Sequence, residues 1–108
     1  MVLVLSSPFF AEYRVQLAEL AIEHRLPSMF TFRSYVEVGG LMAYGVDQAA
    51  MYRRTGAYVA RILKGTRPAD LPIERAAKFQ LVVNLKTAKA LGVTLPTAIL
   101  LRADEMIE

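Results

Sequence analysis

The glycine pair Gly39-Gly40, the short apolar run Leu41-Met42-Ala43-Tyr44, and Gly45-Val46-Asp47 opening a long amphipathic stretch that ends Ile62-Leu63-Lys64-Gly65 constrain this chain more than any other feature. Paired glycines stop the element before them, and an apolar run this short fits a strand. An aspartate ahead of a periodic stretch can accept the unpaired N–H groups of a helix's first turn. The order is therefore turn, strand, loop, helix. Ligands of open α/β sheets sit outside the carboxyl ends of strands, which makes Tyr44, Gly45 and Asp47 a candidate binding edge.

The rest of the chain repeats the pattern. Val2 to Leu5 reads as a strand covered on both faces, after which Ser7 offers an N-cap and Pro8 a first-turn proline. The helix that follows sets Tyr13, Leu17, Leu20, Ala21 and His24 on one stripe and ends before Pro27, because a residue preceding proline is pushed out of the α region. Ser28 to Thr31 is a second strand, and Phe32-Arg33-Ser34 opens a brief helix stopped by the glycine pair. From Asp47, the apolar positions Met51, Thr55, Tyr58, Val59, Ile62 and Leu63 make the second long helix. Three successive β-to-α passages predict parallel strands with right-handed crossovers. Thr66 to Pro72 is a surface connection, and Phe79 to Val83 a fourth strand. Asn84 caps a short helix, Leu85 to Leu91, that Gly92 stops. Thr97 to Met106 reads as a closing helix. The fold class expected is α/β, one small and mostly parallel sheet flanked by helices, forming a single domain over residues 1–108. Two long helices are few for covering both faces of such a sheet, so either the sheet is small or something else covers it.

Composition narrows the function classes. The chain is 55% hydrophobic, above the roughly 45–50% of ordinary domains, which fits buried strands together with apolar surface meant for a partner. Its 13 Lys and Arg exceed 10 Asp and Glu for a net charge of +3, but no basic stripe with interleaved aromatics marks a nucleic-acid partner. The absence of cysteine excludes disulfides, thiolate metal sites and cysteine nucleophiles. His24 is the only histidine and is explained by the carbonyl end of its helix. Arg53-Arg54 reads as solvated or paired with an acid on a neighbouring element, and Glu12, Glu19, Glu23 and Glu37 show no convergence. Gly39-Gly40 lacks the third glycine of a dinucleotide loop. No catalytic residue, metal site or cofactor is expected. The opening Met1-Val2-Leu3-Val4-Leu5 lacks a basic flank and runs into Ser6-Ser7-Pro8, so it reads as a strand and not as a signal peptide. No run approaches the roughly 18–20 apolar residues of a membrane span. Expressed as given, the chain is expected in the cytoplasm.

The glycine turn Gly39-Gly40-Leu41-Met42-Ala43-Tyr44-Gly45, then Arg53-Arg54, Ile62-Leu63-Lys64-Gly65, Pro68-Ala69-Asp70-Leu71-Pro72, Asn84-Leu85-Lys86-Thr87-Ala88 and the ending Leu101 to Glu108 resemble, in order, the ABC transporter substrate-binding proteins of the tryptophan/tyrosine type. The similarity runs through essentially the whole chain and corresponds to the C-terminal lobe of proteins roughly three times longer. It implies a type I periplasmic-binding fold, in which two α/β lobes trap a small solute, and partners in the form of an N-terminal lobe and a membrane permease. Carried onto this sequence, it assigns ligand contacts to Ser6, Ser7 and Phe9 after the first strand, Thr31 and Phe32 after the second, and Tyr44, Gly45 and Asp47 after the third. Phe9, Phe32 and Tyr44 would offer stacking faces to an aromatic amino acid, with helix-start N–H groups for its carboxylate. The family's proteins carry an export signal or lipid anchor and work outside the cytoplasm. Self-association through lobe-facing surfaces is expected, and a cytosolic self-associating module is the alternative reading. A small α/β enzyme is less favoured, because recognisable nucleophile, base and metal ligands are missing.

Overall fold

Five short strands run in sequence order across one sheet: β1 (Val2–Leu3), β2 (Ser28–Phe30), β3 (Met42–Val46), β4 (Phe79–Asn84) and β5 (Glu105–Ile107). The computed structural model describes residues 1–75 and 78–108. Pairings β1–β2 and β2–β3 are parallel, as the β-to-α passages predict, and β4–β5 is parallel as well. Residues Met1–Gly45 and Gln80–Glu108 form one compact unit and Val46–Phe79 a second.

Successive residues of a strand face opposite sides of a sheet, and the first unit carries an apolar cluster on each. Phe30, Ala43 and Val82 pack with Tyr35 and Val36 of α3 (Arg33–Glu37), joined by Ala11 and Leu17 from α1 (Pro8–Glu12) and α2 (Arg14–Glu23). Their alternates Met29, Met42, Leu81 and Val83 pack with Ala88 and Leu91 of α5 (Leu85–Leu91) and Ile99 of α6 (Thr97–Arg102). Asn84 ties these elements together. Its side-chain oxygen accepts from Thr87 N at 3.0 Å, which makes it the cap expected from the sequence, while its amide donates to Val36 O at 3.1 Å. Gly92, at φ 69°, closes α5 in the left-handed conformation.

Three expectations are corrected. The single long helix after Pro8 is two, broken at Tyr13, and the predicted stripe is only partly inward: Ala18 and Ala21 are buried, whereas Leu20, Tyr13 and His24 are exposed. The first strand is covered on one face alone, since Val4 packs on the first cluster but Leu3 and Leu5 are 63% and 65% exposed. Thr97 to Met106 is not one helix. α6 ends at Arg102, and β5 follows because Asp104 closes a ring with β4: its N–H donates to Leu81 O at 2.8 Å and its carboxylate accepts from Leu81 N at 2.7 Å.

The second unit is built on α4 (Gln48–Leu63), whose first turn is capped by Asp47 accepting from Ala50 N at 3.1 Å. The helix forms as its periodicity predicts, yet none of its residues is buried. One side is braced by the segment after a 3₁₀ turn at Pro68–Asp70: Arg54 grips Glu74 through both guanidinium edges, the Nε bond measuring 2.6 Å, and Tyr58 donates to Pro72 O at 2.7 Å. Arg54 therefore has the acidic partner on a neighbouring segment that the sequence allowed. No helix among the described residues is long and apolar enough to cross a membrane.

Candidate functional site

The register of the first three strands decides what their carboxyl ends share. Leu3 lies beside Met29 and Met29 beside Met42. Counting on, Leu5, Thr31 and Tyr44 come level, followed by Ser6, Phe32 and Gly45. The three strands therefore end at one edge of the sheet, its rim, where Thr31, Phe32, Tyr44 and Gly45 lie, and Ser6, Ser7 and Phe9 follow in the segment that leaves β1.

Each position has its own surroundings. Ser7 is extended at the N-cap of α1, but its side chain makes no capping bond, a correction to the sequence reading; Pro8 fixes the first turn alone. Phe9 is 64% exposed and its ring meets its helical neighbours, Phe10 at 5.9 Å and Tyr13 at 5.0 Å between centroids. Phe32 opens α3 in an extended conformation and leans on the first apolar cluster. Tyr44 is exposed. Thr31 Oγ1 is buried without a hydrogen-bond partner among the described residues. Gly45 runs so close to the second strand's end that a Cβ there would stand 2.1 Å from Thr31 O, which only glycine permits. The helix starts at this rim are weaker anion sites than expected, because α1 and α3 have five residues each and little dipole.

Asp47, the eighth position, belongs to the second unit. Its carboxylate is engaged by the Ala50 N–H and lies 3.5 Å from Lys78 Nζ, and the Ala50 bond foremost holds its pKa below the ordinary aspartate value. That unit also holds a groove of about 510 Å³ between α4 and Glu74, Arg75 and Lys78. Two of its ion pairs, Arg54–Glu74 and Lys78–Asp47, are internal. Sequence reasoning did not foresee the groove, which depends on where Pro72, Glu74 and Lys78 meet α4 and its cap.

Beside Phe32, Arg33 bridges to Glu105 with bonds of 2.7 Å from Nε and 2.6 Å from Nη2, and it also pairs with Glu37. Reading β5 as helix concealed this partner. The Arg33 hydrogen bond above all holds Glu105 below the usual carboxylate range; partial burial opposes it and the guanidinium charge adds to it. A folded pKa depressed in this way adds stability above the unfolded pKa, which is lost as pH falls through the folded value. Both side chains are over a third exposed, 41% and 39%, so screening limits the contribution to about 1 kcal/mol or less. Glu105→Gln is expected to lower the melting temperature by a few degrees at neutral pH and by nothing in acid below the carboxylate range. Thermal unfolding at both pH values checks this, and an equal difference at both would contradict it.

A small, mostly parallel sheet with helices on its faces and loops gathered at its strand ends defines a domain of the periplasmic-binding class. The chain belongs to the ABC transporter substrate binding protein family, whose model matches residues 3–107. A conserved domain protein from Vibrio cholerae O1 biovar El Tor superposes with a TM-score of 0.89 at 32% identity, covering 97% of this chain and 36% of that one. An ABC domain from Streptococcus pneumonia, solved in complex with L-Trp, gives 0.81 at 31% identity, over 91% of this chain and 34% of that one. A ligand-free, open substrate-binding protein with adhesive properties from Clostridium difficile shares the fold, at 0.65 and 23% identity over 98% of this chain and 36% of that one. The chain thus spans about a third of the length of these structures. No curated protein sequence matches it.

Proposed function

We propose that this chain is a non-enzymatic solute-binding module, one jaw of a two-lobed clamp and equivalent to the C-terminal lobe of an ABC-type substrate-binding protein. The observation that carries the reading is the alignment of three parallel strand ends; the reading takes Ser6, Ser7, Phe9, Thr31, Phe32, Tyr44, Gly45 and Asp47, on or just after those ends, as the ligand-facing positions. The solute is an aromatic amino acid or a similar small organic molecule. Exposed rings at Phe9 and Tyr44 support that class, as does the L-Trp bound by the Streptococcus relative. Its partners are an N-terminal lobe and a membrane permease, and its place of work, like that of the family in general, is outside the cytoplasm.

A single jaw leaves its loops wet and gains nothing from closure. A solute held at micromolar strength by two lobes, about 8 kcal/mol, loses most of that affinity to one. Calorimetric titration of the chain with tryptophan, tyrosine and phenylalanine is therefore expected to show no submicromolar binding, while amide chemical shifts at millimolar tryptophan move at Ser6, Phe9, Thr31, Phe32 and Tyr44. Shifts confined to other residues would overturn the rim assignment, and a submicromolar constant would overturn the half-clamp.

A second reading, a self-associating module, is favoured by a specific observation: Leu3, Leu5, Phe9, Tyr52, Leu63 and Leu101 are each more than 60% exposed. Each unit thus exposes large apolar side chains of the kind that contact surfaces use.

A further inference from the structure

The short helix α3 is held differently along its length. Its later residues are fixed by the core: Tyr35 and Val36 are buried, Val36 O accepts from the Asn84 amide at 3.1 Å, and Tyr35 O accepts from Gly40 N at 2.9 Å. The end beside the rim is anchored less firmly. Phe32, its N-cap, makes no side-chain capping bond and packs, partly buried, against the first apolar cluster. A helix of five residues does not hold itself together in water.

Arg33 stands at this end. Acids, not bases, are favoured beside the unpaired N–H groups of a first turn, so α3 itself gives no reason for an arginine there. The reason lies on another element: Arg33 reaches Glu105 of β5 and bonds both carboxylate oxygens, from Nε at 2.7 Å and from Nη2 at 2.6 Å. Two parallel bonds fix the direction of the guanidinium as well as its distance, which a single-point pair does not. The anchor is firm, because β5 is paired to β4 through Val82, Val83 and Asn84. Glu37 also pairs with Arg33, but it stands on α3 and cannot tie the helix to anything else.

We propose that Arg33, locked to Glu105, is a positioning residue of the solute site: it fixes the rim end of α3 and thereby the place of the Phe32 ring. Both partners are partly exposed, so the pair contributes little to stability. What it supplies is orientation, since a side chain that faces a ligand must be held within about 0.5 Å of its productive place. The proposal rests on the solute-binding reading and adds the contact that orders its Phe32 side.

The test follows the chain by nuclear magnetic resonance, alone and at millimolar tryptophan. The unmodified chain is compared with Arg33→Gln, Glu105→Gln, Glu37→Gln and the exchanged pair Arg33→Glu/Glu105→Arg. In Arg33→Gln and Glu105→Gln, nuclear Overhauser contacts of the Phe32 ring with the first apolar cluster are expected to weaken about twofold or more. Those between the Phe30 and Tyr35 rings should stay. Tryptophan-dependent shifts at Thr31 and Phe32 should fall by a similar factor while those at Phe9 and Tyr44 persist. Glu37→Gln is expected to change neither readout, and the exchanged pair to restore both. Unchanged Phe32 contacts in the two Gln variants overturn the proposal. A loss equal at every rim residue and at the Phe30–Tyr35 stack overturns it as well, because a merely stabilising pair would give that. So does an exchanged pair that folds without restoring the Phe32 contacts. Tryptophan that moves no rim amide of the unmodified chain overturns the solute-binding reading and the binding role with it, while the ring contacts, measured without solute, still decide the placement of Phe32. Should the exchanged pair fail to fold, the two Gln variants decide by themselves.

Discussion

Gly45→Ala is expected to cost this protein about 3 kcal/mol or more, the range reserved for a named steric conflict. The added Cβ would meet Thr31 O at 2.1 Å and the Thr31 carbonyl carbon at 3.2 Å. Both atoms are backbone, so no side chain can rotate away, and the ends of β2 and β3 must separate. For a chain of this size such a loss lowers the melting temperature by roughly 10–20 °C. The same separation displaces Thr31 and Tyr44, so the tryptophan-dependent shifts at the rim should weaken along with stability. Thermal unfolding and the amide titration check the two halves independently. An unaltered melting temperature would mean that the close approach of these backbones is not as described.

The second large effect lies in the core. Tyr35 is 1% exposed and Phe30 2%, and their rings stack at 4.7 Å between centroids with planes 15° apart. Tyr35→Ala removes one ring from a cluster of only five buried residues, at a cost of about 3–5 kcal/mol. That is a large share of the roughly 5–15 kcal/mol that stabilises a whole domain, so the variant is expected to be largely unfolded at physiological temperature. Tyr35→Phe keeps the stack and should lose far less. Chemical denaturation of the pair measures the difference, and equal losses would contradict the assignment of the stability to the stacked ring.

Much of the local structure was legible in the sequence. Asp47 and Asn84 cap helices, Gly92 ends one, and the runs at Ser28, Leu41 and Phe79 are strands, because caps, turns and periodicity act within a few residues of chain. What failed had the opposite character. Nothing near Arg102 and Ala103 breaks the helical pattern, so β5 stayed hidden until β4 supplied the ladder that Asp104 completes. The coverage of β1 was misjudged for the same reason, since an apolar run does not say whether a helix lies over both of its faces. At the rim, the positions followed from the rule that loops leave at strand ends. The contact between Gly45 and the Thr31 backbone did not, nor did the partner of Arg33, which lies 72 residues away.

The sequence by itself determined the order and type of most elements and the family resemblance, since these depend on short-range hydrogen bonding and on which residue stands where. The tertiary structure alone decided which strand lies at each edge, which face of β1 stays bare, and how close β2 and β3 approach. Those outcomes depend on register and packing between segments far apart in the chain, where a shift of one residue would exchange the inward and outward faces of a strand.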